Sequence, residues 1–66
     1  GRLSLTVYDL LGRPVRTLID GPMRAGYHNL TWRGNDDDGR SVGSGLYFIE
    51  MRASQWRQIR KVMLLK

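Results

Sequence analysis

Residues 46–53, with the sequence Leu-Tyr-Phe-Ile-Glu-Met-Arg-Ala, decide the fold class. Tyr47, Ile49 and Met51 fall on one side of an alternating pattern, whereas Glu50 and Arg52 fall on the other. A period of two residues is typical of a half-buried β-strand and does not match the 3.6-residue period of a helix. We therefore predict a strand here, with its uncharged face in the core.

The same period of two recurs earlier in the chain. Apolar and polar residues alternate over residues 3–8, and residues 13–19 read as a second strand. Pro14 near the start of that second strand predicts an edge position, because proline cannot donate a ladder hydrogen bond. Residues 27–32 alternate again, with His28, Leu30 and Trp32 on one face.

Turn signals separate these segments. Residues 34–39, Gly-Asn-Asp-Asp-Asp-Gly, form the strongest loop signal, and residues 54–57 are a plausible hairpin turn before a last strand over residues 58–65. About five short strands without a helical pattern predict an all-β, Ig-like antiparallel β-sandwich. Its predicted core residues are Leu5, Val7, Leu30, Trp32, Tyr47, Ile49 and Met51.

Length and composition limit the classes of protein. The 66 residues allow one domain, residues 1–66, and the absence of cysteine excludes disulfides and thiolate metal clusters. No apolar run reaches the roughly 18 residues of a membrane-spanning helix. We expect no cofactor and no transmembrane segment.

The order of several short motifs resembles a bacterial Ig-like family. Residues 7–13 and 15–18 resemble its first hairpin, residues 32–34 and 44–48 continue the pattern, and residues 60–66 resemble its last strand. The family includes the Ig-like domain of the flagellar hook-cap scaffolding protein and the type A C-terminal sorting domain of type IX secretion. This chain departs from the family pattern in beginning after the usual first strand and in carrying Arg33 after the tryptophan.

The resemblance implies a non-catalytic C-terminal module of a larger protein. That protein would lie outside or on the surface of a Gram-negative bacterium, reached through the periplasm. The module would act as a secretion, sorting and attachment signal through its fold and its last strand, which the export machinery would recognise. The residues of that strand are Arg60, Lys61, Val62, Met63, Leu64, Leu65 and Lys66.

A second hypothesis is structural. The same fold could serve as a building block of a surface appendage or filament, with a strand of a neighbouring subunit completing the sheet. Both hypotheses predict a protein partner, either the secretion machinery or a neighbouring domain or subunit.

The aspartates of the 34–39 loop and the single histidine are the candidate site residues. Asp36 and Asp38 could supply oxygens to calcium, but the loop lacks the ligand pattern of an EF-hand, which favours a structural turn. His28 is the sole histidine and has no nucleophile or carboxylate at the spacing of a catalytic triad. We therefore predict that the protein is not an enzyme.

The basic residues give a net charge of +5 but are spread along the chain. Nucleic-acid binding requires cations on one face, so we expect no specific nucleic acid. The charge is equally compatible with contact to anionic glycans or to the outer membrane.

Overall fold

The structure is a computed structural model that describes residues 1–22 and 30–66. Its four strands, β1 (Arg2–Tyr8), β2 (Pro14–Pro22), β3 (Gly45–Ala53) and β4 (Trp56–Leu64), form one open antiparallel sheet in the order β2-β1-β3-β4. None of the described residues is helical. The predicted all-β, antiparallel class is confirmed, and four strands come close to the expected number of about five.

The predicted strand over residues 27–32 is not formed where it can be assessed. Residues 27–29, including His28, lie outside the described residues, and residues 30–32 belong to no strand. The indole of Trp32 instead donates a hydrogen bond from Nε1 to the carbonyl oxygen of Asn35 at 2.8 Å, within the following loop. An alternating pattern indicates extended backbone, and it does not reveal whether that backbone finds a ladder partner.

Strand β2 lies at an edge of the sheet, as Pro14 at its first position predicted. Its register against β1 shifts twice, between Leu5 and Thr6 and between Val7 and Tyr8. At each shift one residue of β2 has no partner in β1, and such irregularities strengthen the twist of an edge strand and discourage further pairing. Between the two shifts, Arg16 pairs with Val7, so its side chain lies on the face that carries the core.

The core lies on one face of the two central strands. Their register sets Leu5 opposite Met51 and Val7 opposite Ile49, so the apolar positions of both strands share this face. Val7 is completely buried, whereas Leu5 and Tyr47 are each 8% exposed. Ile49, Met51 and Trp32 are half-buried.

Leu30 is a correction to the predicted core, because its side chain is 47% exposed. The alternating pattern of residues 27–32 predicts this side chain on the core face. Since residue 30 lies in no strand, no ladder directs its side chain toward the sheet.

A loop segment, residues 30–44, contacts the core face of the sheet. The ring of Trp32 meets the ring of Tyr47 edge to face, with 5.0 Å between the ring centroids and 69° between the planes. The hydroxyl of Tyr47 donates to the carbonyl oxygen of Gly43 at 2.6 Å, so the same tyrosine holds the far end of the segment. Aromatic packing and these hydrogen bonds thus join the loop to the sheet.

Candidate interaction surface

Two loops of the structure have the same hydrogen-bonded form. In residues 9–13, Asp-Leu-Leu-Gly-Arg, Oδ1 of Asp9 accepts the backbone N–H groups of Leu11 and Arg13, both at 2.9 Å. The glycine of this loop, Gly12, has a φ of 78°, which favours glycine because it lacks a Cβ.

Residues 36–40, Asp-Asp-Asp-Gly-Arg, repeat this arrangement. Oδ1 of Asp36 accepts the N–H groups of Asp38 at 3.0 Å and Arg40 at 2.9 Å, and Gly39 has a φ of 83°. The repeated Asp-x-x-Gly-Arg spacing is visible in the sequence, and our sequence reasoning missed it.

The two residues considered as calcium ligands, Asp36 and Asp38, have different surroundings in this loop. Asp36 turns its carboxylate into its own turn, while Asp38 is exposed. Among residues 1–22 and 30–66, no three metal-ligating side chains gather into a group. The loop geometry is that of a side-chain-stabilised turn.

The third aspartate of the loop, Asp37, closes part of the free edge of β2. Its N–H donates to the carbonyl oxygen of Val15 at 3.0 Å, and its Oδ1 accepts the N–H of Thr17 at 2.9 Å. Arg16 Nη1 donates to the carbonyl oxygen of Asp36 at 2.9 Å and fastens the same loop from the core side. The first part of this edge, around Val15 and Thr17, is therefore covered by the loop.

The opposite edge is formed by β4, and no other described strand lies beside it. Ala53 pairs with Trp56 across the two-residue turn, so residues 56, 58, 60, 62 and 64 direct their backbone groups toward β3. The alternate residues Arg57, Ile59, Lys61 and Met63 then direct their N–H and C=O groups away from the sheet.

The side chains of these four outward residues lie on the face opposite the core. Ile59 is 50% exposed and Met63 is 58% exposed, and Arg57 and Lys61 are exposed as well. Exposed apolar side chains beside unpaired backbone groups are a common mark of an interaction surface. We call Arg57, Ile59, Lys61 and Met63, with their backbone, the β4 edge.

The strand predicted to be recognised, residues 60–66, is held within the fold. Residues 60–64 pair with β3, and the last residue is fastened to the loop. The N–H of Lys66 donates to Ser44 Oγ at 3.1 Å, and its Nζ donates to the carbonyl oxygen of Gly34 at 3.3 Å and to Ser41 Oγ. The exposed residues of this segment are Lys61 and Met63 on the outward edge, Arg60 on the other face, and Leu65 and Lys66 at its end, with Leu65 82% exposed.

A groove of about 480 Å³ adjoins the β4 edge on the same face. Tyr8, Leu10, Phe48 and Ile59 form its apolar part, and the charged residues Asp9, Glu50, Arg52 and Arg57 also line it. Glu50, whose side chain is 13% exposed, accepts from Arg57 Nε at 2.6 Å and lies 3.5 Å from Arg52 Nη2. The hydrogen bond from Arg57 holds the pKa of Glu50 below its usual value, so this carboxylate is ionised at neutral pH.

Comparison with known proteins identifies the family. The family described as the FlgD Ig-like domain matches residues 1–56. The chain belongs to the FlgD Ig-like domain family. The match ends at the first residue of β4, so the β4 edge lies beyond the matched part.

Curated relatives of this FlgD Ig-like domain bear a single name. The basal-body rod modification protein FlgD of Salmonella typhimurium is 45% identical over 53 residues, covering 80% of this chain and 23% of the relative. The Escherichia coli K12 protein of the same name is 36% identical over the same shares of both chains. The chain thus spans about a quarter of the length of these relatives, and no solved structure matches it.

These relatives correct one expectation. The extracellular or cell-surface location is wrong, because the relatives are named for the basal-body rod and not for a surface product. That location was expected from the resemblance to the family as a whole, and sequence composition carries no independent signal for it. Among the described residues, no helix is long and apolar enough to cross a membrane.

Proposed function

We propose that this chain is a non-catalytic assembly module, the C-terminal module of a larger scaffolding protein of the flagellar rod. In this role it holds a protein partner by adding a strand of that partner to the β4 edge. The single observation that carries the proposal is the contrast between the two edges of the sheet. Asp37 bonds to the β2 edge at Val15 and Thr17, whereas the β4 edge presents outward backbone groups beside exposed side chains.

The relatives support an assembly role. Proteins named for modification of the basal-body rod act within a multi-protein structure, and a module of such a protein needs contacts rather than chemistry. Strand addition suits this task, because backbone hydrogen bonds supply affinity and neighbouring side chains supply specificity. The fixed position of Lys66 keeps β4 in register while its outer edge is used.

The role in export that the sequence suggested stays a prediction. It depends on the same strand, because the residues assigned to recognition are those of β4 and its C-terminal continuation. The two roles differ in the step that fails when the edge is blocked: delivery of the protein, or its incorporation after delivery.

A proline at Lys61 tests the proposal. The N–H of Lys61 points away from β3, so Lys61→Pro removes a donor at the open edge without removing a ladder bond inside the sheet. Lys61→Thr is the matched control, because it removes the same charge and retains the N–H. Both variants are introduced into the full-length protein in its native cell, and the folded fraction is checked by thermal melting.

We expect Lys61→Pro to be delivered normally and to fail in rod assembly, with Lys61→Thr assembling at or near the parental level. Normal assembly of a folded Lys61→Pro protein would contradict the proposal. Failure of delivery, with the protein retained before its destination, would favour the export role over the assembly role.

A further inference from the structure

The β4 edge has a chemical pattern that narrows the choice of partner. Along the face opposite the core, its side chains alternate as Arg57, Ile59, Lys61 and Met63, which is cation, apolar, cation, apolar. A strand added beside β4 places its own alternate side chains directly opposite these four. Each position therefore imposes a requirement on the residue that faces it.

Within residues 1–22 and 30–66, the positive charges on this edge are not balanced by carboxylates. Glu50 is shared between Arg52 and Arg57, so one carboxylate faces two guanidinium groups. Lys61 is exposed and has no ion pair with any described residue. A partner strand with carboxylates opposite Arg57 and Lys61 would be attracted by the positive electrostatic potential of this edge.

A second copy of the same edge does not satisfy these requirements. Antiparallel pairing of two β4 edges centred on Ile59 sets Arg57 opposite Lys61, and pairing centred on Lys61 sets two lysines opposite each other. Pairing centred on Arg60 sets every apolar side chain opposite a cation. Like charges directly opposite are destabilising, so the edge disfavours self-association.

We infer that the β4 edge selects an extended acidic segment of a different protein, in which carboxylate and apolar side chains alternate on one face. When this segment pairs antiparallel to β4, its apolar residues lie opposite Met63 and Ile59. Its acidic residues lie opposite Lys61 and Arg57. The neighbouring groove, lined by Phe48, Leu10 and Ile59, lies on the same face and can receive an apolar side chain from the segment. This inference rests on the proposed function, because it names the partner of the same edge.

Synthetic peptides test the inference on the full chain. The first probe is the nine-residue peptide Thr-Val-Thr-Glu-Thr-Val-Thr-Glu-Thr. The second probe has lysine in place of both glutamates. Binding is followed by titration and by hydrogen exchange of the β4 amides. Two variants complete the design: Lys61→Glu reverses a charge on the edge, and Arg40→Glu makes the same change in the loop that fastens to β2.

We expect the glutamate peptide to bind at least about tenfold more tightly than the lysine peptide, because two attractive cross-strand pairs become repulsive. It should slow exchange at Arg57, Ile59, Lys61 and Met63, and its affinity should fall as salt is raised. Lys61→Glu should reduce or invert the preference, and Arg40→Glu should preserve it.

Equal binding of both peptides, with the same four amides protected, would overturn the inference and leave strand addition standing. Failure of every peptide to protect these amides would overturn the inference and the proposed function together. Binding that protects other amides would place the acidic ligand elsewhere and would also contradict the inference.

Discussion

Gly34 lies directly against the side chain of Leu64, at the point where the loop meets the end of β4. A Cβ on Gly34 would lie 3.0 Å from Leu64 Cδ2 and 3.2 Å from Leu64 Cδ1, and the glycine has a φ of 72°. This position therefore requires glycine for two reasons: a side chain would contact Leu64 too closely, and the backbone is left-handed. This contact joins the loop to the strand that carries the proposed docking edge.

Gly34→Ala should destabilise the fold by about 1–3 kcal/mol, because it combines backbone strain with a close contact. Urea denaturation measures the change. Gly39→Ala separates the two causes: Gly39 has a similar φ of 83°, but a Cβ there would meet nothing within 4 Å. Gly34→Ala should therefore lower stability more than Gly39→Ala, and equal losses for both variants would count against the contact with Leu64.

Trp32 contributes both packing and a hydrogen bond. Trp32→Ala removes the edge-to-face contact with Tyr47 and should cost about 3–5 kcal/mol, which is comparable to the whole stability of a small domain. Trp32→Phe retains a ring but loses the bond to the Asn35 carbonyl, and we expect a smaller cost of about 1 kcal/mol. A Trp32→Ala protein with the parental melting temperature would show that the indole is not an anchor.

Asp37 is predicted to protect the β2 edge. Asp37→Ala removes the acceptor of the Thr17 N–H and should lower stability by about 1 kcal/mol while accelerating hydrogen exchange at Thr17. An uncovered edge should also increase self-association at high concentration, measured by light scattering. Asp38→Ala is the control, because Asp38 is exposed and its side chain takes no part in the described contact with β2. If both variants behave alike, Asp37 does not close the edge.

Acid should destabilise the fold through two carboxylates. The backbone N–H of Arg13 lowers the pKa of Asp9 from its usual 3.8, and the Arg57 side chain lowers the pKa of Glu50 from its usual 4.5. A pKa that is lower in the folded state gives stability that is present above the unfolded value and lost as the pH falls through the folded value.

Thermal melts at decreasing pH measure this loss. The melting temperature should fall as the pH drops below these usual values, and the double variant Asp9→Asn with Glu50→Gln should show a flatter profile. Asp38→Asn serves as a control for a change of charge at an exposed position. An identical acid profile in the parent and the double variant would exclude these two groups as its cause.

Much of the sheet could be predicted from alternation alone. The period of two located β1 and β3, and Pro14 identified β2 as an edge strand, because these features follow from backbone geometry. Residues 30–32 show the limit of the pattern. Their alternating pattern does not specify a hydrogen-bond partner: these residues belong to no strand, and the Trp32 indole bonds to the carbonyl oxygen of Asn35 in the same loop.

Only part of the candidate surface could be predicted from the sequence. The alternation of charged and apolar residues in β4 could be read directly, but its accessible side could not. Which backbone groups point outward depends on the pairing of Ala53 with Trp56 across the turn, which is a property of the register. The closure of the opposite edge by Asp37 joins residues 20 positions apart in the chain and has no local signal.

Amide hydrogen exchange along β4 in the free full chain tests the central claim most directly. If the edge is open, the outward amides of Arg57, Ile59, Lys61 and Met63 should exchange quickly, while those of Gln58, Arg60 and Val62 are protected by their bonds to β3. Such alternation along one strand is the result that the account predicts. Uniform protection of all seven amides would mean that another part of the chain already covers the edge, and would contradict its role as a docking surface.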